Sequence, residues 1–89
     1  MTALYFTAPW CKPCKGVKPN VISACTEARV PLQTVDISTP EGEKIAEGRN
    51  IYQLPTLILD NGSGELDRIV GTAGKYEISR VIAEAKKAE

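Results

Sequence analysis

The sequence predicts an α/β protein with elements in the order β-α-β-α-β-β-α. Three observations carry that prediction. A short apolar run, Leu4-Tyr5-Phe6-Thr7, leads into Trp10-Cys11-Lys12-Pro13-Cys14-Lys15, where a helical pattern begins. Residues 14, 17, 21, 25 and 28 then trace one apolar stripe at helical spacing. Further on, Asn61-Gly62-Ser63-Gly64 separates two strand-like runs and is a strong hairpin signal.

Taken in order, Thr2 to Thr7 reads as a buried strand, short and rich in apolar and aromatic residues. The helix after Cys11 carries Val17, Val21, Ile22, Ala24, Cys25 and Ala28, and Pro19 inside it predicts a kink. Cys25 falls on the stripe and reads as a small core residue. Val30 to Ile37 is the second strand. Ser38 or Thr39 caps the next helix, with Pro40 in its first turn and the spacing of a capping box from Ser38 to Glu41. Ile45 and Ala46 are its main apolar residues, and Gly48 or Asn50 ends it. Thr56 to Asp60 and Glu65 to Val70 form the hairpin, closed by Gly71. The last helix starts near Gly74 and buries Ile78, Val81, Ile82 and Ala85, with Lys86 and Lys87 suiting its C-terminal end.

The first β-α-β unit needs a right-handed crossover, so its strands are parallel. The Asn-Gly turn makes the last two strands antiparallel. How the two halves join is not fixed by these patterns.

Bulk properties narrow the function. Eighty-nine residues make one domain, residues 1–89. Eleven basic and eleven acidic residues cancel, which gives no electrostatic case for nucleic acid or a membrane surface. No apolar run reaches the length of a membrane span, and the N-terminus lacks the pattern of a signal peptide. The expectation is a cytoplasmic protein, where thiols stay reduced and structural disulfides are rare. Three cysteines is the wrong number for a disulfide scaffold. The absence of histidine excludes a Cys-His pair and any His-containing metal site. A Cys₄ zinc site would need a second chain, because only Cys25 remains beside Cys11 and Cys14, and zinc within one chain would need an Asp or Glu as well.

The Cys-x-x-Cys spacing therefore points to redox chemistry. A cysteine at a helix N-terminus meets free backbone amides and the positive end of the helix dipole. Both favour thiolate over thiol and lower the pKa from the free value of about 8.5. Lys12, Lys15 and Lys18 add positive charge nearby. Cys14, one turn on, lies on the same side of the helix, close enough to bond to Cys11 and more buried. The expected roles are unequal: Cys11 attacks and Cys14 resolves. Pro13 fixes φ between them and removes an amide with no helical partner.

Together, Ala8-Pro9-Trp10-Cys11-Lys12-Pro13-Cys14-Lys15, Pro19, Val35-Asp36, Leu54-Pro55-Thr56-Leu57, Asn61-Gly62 and Val70-Gly71 resemble the thioredoxin family over nearly the whole chain. The resemblance implies a thioredoxin fold, a mixed sheet in the order 2-1-3-4 flanked by three helices. It implies a cis bond before Pro55, backbone hydrogen bonding to substrate from Leu54, and a groove flanked by Trp10 and Gly71. It gives Lys12 and Pro13 the tuning positions between the cysteines, where the family has Gly-Pro. The chain starts at the strand that carries the cysteines, without the N-terminal strand and helix of ordinary thioredoxins. The family's buried acid beneath the cysteines is replaced by Tyr5, and a lysine associated with that acid by Leu32.

The implied activity is reduction of protein disulfides through a redox-active Cys11–Cys14 pair, with no bound cofactor. Electrons would come from NADPH through a thioredoxin reductase, with ribonucleotide reductase among the clients and a monomer as the working form. The short N-terminus also resembles glutaredoxins, which glutathione reduces. The remaining readings are an adaptor that uses the fold for binding, and a metal bridged between two copies by paired Cys-x-x-Cys motifs.

Overall fold

The computed structural model describes residues Met1–Glu89. The elements are β1 (Thr2–Thr7), α1 (Lys12–Ala28), β2 (Leu32–Asp36), α2 (Pro40–Gly48), β3 (Thr56–Asp60), β4 (Glu65–Val70) and α3 (Lys75–Lys87). They build one four-stranded sheet in the order β2-β1-β3-β4. β1 pairs parallel with β2 and antiparallel with β3, and β3 pairs antiparallel with β4. The mixed order expected from the resemblance is the order found.

Strand periodicity sorts the core into two layers. Ala3, Tyr5, Leu57 and Leu59 face α1 and α3, where they meet Val17, Val21, Cys25, Ile78 and Ile82. Leu4, Phe6 and Ile58 face the other way, toward Val35 and Ala46 of α2. Both faces of β1 and β3 are thus covered, which explains why these strands read as continuous apolar runs rather than alternating ones. Fully burying each of Ile78 and Ile82 contributes about 2 kcal/mol to folding.

β1, β3 and β4 have the predicted bounds. β2 is shorter than Val30 to Ile37, because α1 claims its start. Arg29 takes a left-handed φ of 58°, and the Val30 amide turns back to the Cys25 carbonyl at 2.9 Å. α1 itself runs unbroken across Pro19.

The cap of α2 is Thr39, whose Oγ1 accepts from the Gly42 amide at 3.0 Å. The Ser38–Glu41 capping box does not form. Ser38 is diverted to Asp36, donating to Oδ1 from its amide at 2.9 Å and its hydroxyl at 2.6 Å. Gly42 is required here: a Cβ at this position would stand 1.8 Å from the Asp36 carbonyl oxygen. Of the two apolar residues assigned to α2, Ala46 is buried and Ile45 is exposed. In α3, Ile78, Ile82 and Ala85 are buried and Val81 is half-buried, beginning from Gly74 at the N-cap.

Candidate functional site

The site forms where β1 hands over to α1. Cys11 is the N-cap of α1, in extended backbone with φ −85° and ψ 98°. Its Sγ accepts from the Cys14 amide at 3.3 Å. The sulfur therefore occupies the position that a Ser or Asp oxygen fills in an ordinary N-cap. Pro13 sits in the first turn, where its missing N–H costs nothing. Cys14 closes the turn, and the two cysteines are disulfide-bonded with Cα atoms 5.3 Å apart.

The two cysteines differ in exposure. Cys11 is 7% exposed and Cys14 only 1%, so an incoming substrate reaches Cys11 first. The pair packs in a small apolar cluster with Ala8, against Ile37 from the loop after β2 and Leu54 from the segment before β3. Lys12, Lys15 and Lys18 are exposed. No group of three or more His, Cys, Asp or Glu side chains is arranged to hold a metal ion.

Leu54 and Pro55 are joined by a cis peptide bond. Pro55 is buried and Leu54 half-buried. The Leu54 amide and carbonyl take part in none of the turn and loop hydrogen bonds, which leaves both free for an extended segment of another chain. Gly71 ends β4 with a φ of 90°, and its amide donates to the Pro55 carbonyl at 2.8 Å. Trp10, directly before Cys11, is 68% exposed. The cysteine cluster thus includes Leu54, and the hydrogen bond from Gly71 joins the end of β4 to the cis turn. Tyr52 and Val70, close in sequence to Leu54 and Gly71, add exposed apolar surface that the sequence did not mark as part of the site. Their signal was their position beside residues already singled out.

Beneath the pair stands Tyr5. It is 1% exposed, and its hydroxyl donates to the Cys14 carbonyl at 2.7 Å. Burial pushes the phenol up to about 12, so it is neutral at physiological pH and offers no base. The remaining thiol, Cys25, is buried in the α1–α3 layer, and burial raises its pKa as well.

Comparison with known proteins agrees with this arrangement. The sequence model of the thioredoxin family matches residues 1–84. Thioredoxin 1 of Nostoc sp. is 31% identical over 77 residues, covering 86% of this chain and 72% of that protein. A bifunctional thioredoxin reductase/thioredoxin of Mycobacterium leprae is 32% identical over 79 residues, which are 89% of this chain and 17% of that longer protein. Among solved structures, thioredoxin 1 from Thermosipho africanus superposes with a TM-score of 0.84 at 18% identity. It covers 99% of this chain and 97% of its own, and it shows the shared fold. With the fold, the capped cysteine pair and these relatives in agreement, the chain belongs to the thioredoxin family and is a thiol–disulfide oxidoreductase with protein disulfide reductase activity.

Proposed function

We propose that this protein is a cytoplasmic electron carrier that keeps protein thiols reduced, with Cys11 as nucleophile and Cys14 as resolving thiol. The observation that carries the assignment is the asymmetry of the pair: Cys11 is the more exposed cysteine, and its Sγ accepts from a backbone amide.

In the reduced protein, Cys11 thiolate attacks one sulfur of a substrate disulfide. That bond breaks, a mixed disulfide forms, and the other substrate sulfur leaves as a thiolate. Cys14 then attacks Cys11 Sγ. The Cys11–substrate bond breaks, the Cys11–Cys14 bond forms, and the substrate has gained two electrons. The proton from Cys14 needs an acceptor, and Tyr5, the polar side chain beneath it, is a neutral donor. The departing substrate thiolate takes that proton. Trp10 and the Leu54–Pro55 edge bind the substrate segment, and Gly71 lets its backbone approach closely. Lys12 and Pro13 tune the pair, Lys12 by its charge and Pro13 by stiffening the turn.

Recycling needs two electrons from outside the chain. The relative that fuses a thioredoxin reductase to a thioredoxin supports such a reductase as the donor, and NADPH is its proposed source of electrons. Clients are folded proteins with accessible disulfides, ribonucleotide reductase among them, met by a monomer. The test is insulin reduction driven by NADPH and a thioredoxin reductase, compared with NADPH, glutathione and glutathione reductase. Turnover in the first and not the second supports the reading. Turnover with glutathione alone replaces it with a glutaredoxin-like cycle.

A further inference from the structure

We propose that Tyr5 is a positioning residue for the dithiol, setting the reactivity of Cys11 through the Cys14 backbone. The proposal rests on the thiol chemistry above and adds a residue to it. Two hydrogen bonds meet on Cys14. Its carbonyl accepts from the Tyr5 hydroxyl at 2.7 Å, and its amide donates to Cys11 Sγ at 3.3 Å. Tyr5 is anchored in the central strand, with its neighbours paired to both β2 and β3. The phenol therefore fixes the first turn of α1 to the sheet at the residue whose amide serves the attacking sulfur.

The contact is directional and buried. Tyr5 lines a cavity of about 10 Å³ with Pro55, Gly71 and apolar side chains, and it contributes the only side-chain polar atom there. That space is at the lower limit for one water, and a water needs at least two polar partners. No other polar side chain lines the cavity to compete with the Cys14 carbonyl for the hydroxyl.

A hydrogen bond to sulfur matters most when the sulfur is charged. In the disulfide the Cys14 amide meets a neutral acceptor; in the reduced protein it meets the Cys11 thiolate. Loosening the first turn therefore destabilises the thiolate more than the disulfide. Other titratable groups lie on the elements packed around the pair. Lys12, Lys15, Lys18, Cys25 and Glu27 lie on α1, Asp36 precedes Ile37, and Tyr52 precedes Leu54 by two positions. The Asp36 carboxylate is engaged by Ser38.

The test is Tyr5→Phe, which keeps the ring and removes the hydroxyl. The readout is the pH dependence of alkylation of Cys11 in the reduced protein, followed by peptide mapping. The variant's profile moves to higher pH: the rate at pH 6 falls roughly three-fold, and the plateau at alkaline pH is unchanged. Its equilibrium with glutathione moves toward the disulfide by a similar factor. An unchanged midpoint, with or without a uniform loss of rate, overturns the proposal. Should Tyr5→Phe fail to fold, wild-type protein labelled with ¹³C at tyrosine Cζ gives the same answer. The Tyr5 signal shifts with the midpoint of Cys11 titration, while Tyr52 and Tyr76 serve as exposed references. A Tyr5 signal that stays flat through that titration overturns it too. Loss of the parent reading would show differently, as a wild-type profile with no reactive thiol at all.

Discussion

The amide of Gly71 donates to the carbonyl of Pro55 at 2.8 Å, tying the end of β4 to the turn that precedes β3. The hydrogen bond continues the β3–β4 ladder one step beyond the pairing of Thr56 with Val70. It holds the glycine proposed to rim the substrate groove in a conformation with φ 90°.

Gly71→Ala separates conformation from space. A Cβ there meets only Gln53 Nε2, at an ordinary 3.6 Å, so crowding is not the issue. The positive φ costs an alanine about 1 kcal/mol. Urea denaturation of the variant shows that loss. Its kcat/KM for insulin falls several-fold while reaction with a small aromatic disulfide is nearly unchanged, because only the extended substrate uses the rim. Equal losses on both substrates would remove Gly71 from substrate binding.

The far end of the hairpin contributes to acid stability. Arg49 Nη1 lies 2.7 Å from Asp60 Oδ2 and the Gly62 amide donates to Asp60 Oδ1 at 2.6 Å. The Arg49 hydrogen bond, followed by that of Gly62, holds the Asp60 carboxyl below its ordinary value of 3.8. A carboxylate held low in the folded state stabilises fully above its unfolded pKa and loses that contribution as pH falls through the folded value. Asp60→Asn is therefore less stable than wild type by about 1 kcal/mol at pH 7. The gap narrows at pH 3, as urea midpoints at the two pH values will show. A gap of the same size at both would mean that the carboxylate's charge is irrelevant.

Cys25 is chemically silent in the folded protein. It is 1% exposed, and burial raises its thiol pKa, so little thiolate forms at neutral pH. Iodoacetamide on the reduced, folded chain modifies Cys11 first and leaves Cys25 untouched until denaturant is added. Peptide mapping after a time course checks this. Native labelling of Cys25 at a rate near that of Cys11 would assign it a redox role.

Much of this architecture is legible because the strong signals are local. The apolar runs of β1 and β3, the Asn-Gly turn and the stripe of α1 each lie within one element. The cis bond before Pro55 and the sheet order were legible only through the family resemblance, since neither follows from periodicity. The misreadings have a common cause in competition between neighbours. Ser38 and Thr39 are equally good caps by type, and Asp36 decides by capturing Ser38. Ile45 and Ala46 are both apolar, and the pitch of a nine-residue helix admits only one of them to the sheet face.

Contacts between distant segments left no local trace. Arg49 and Arg68 carry no pattern in the sequence that marks them as paired. Arg68 chelates Glu65 and donates to the carbonyl of Arg49, clamping the exit of α2 to the hairpin. Tyr5 read as a buried strand residue, and it is buried in β1. Its hydroxyl partner, a backbone carbonyl on another element, has no signature in a sequence.

The most direct test of the mechanism uses Cys14→Ser, reduced and folded, mixed with insulin and examined by mass spectrometry under non-reducing conditions. The account predicts a long-lived adduct joined through Cys11, which wild type resolves too quickly to accumulate. A folded variant that forms no adduct, or one joined through Cys25, would contradict the assignment of Cys11 as the attacking thiol.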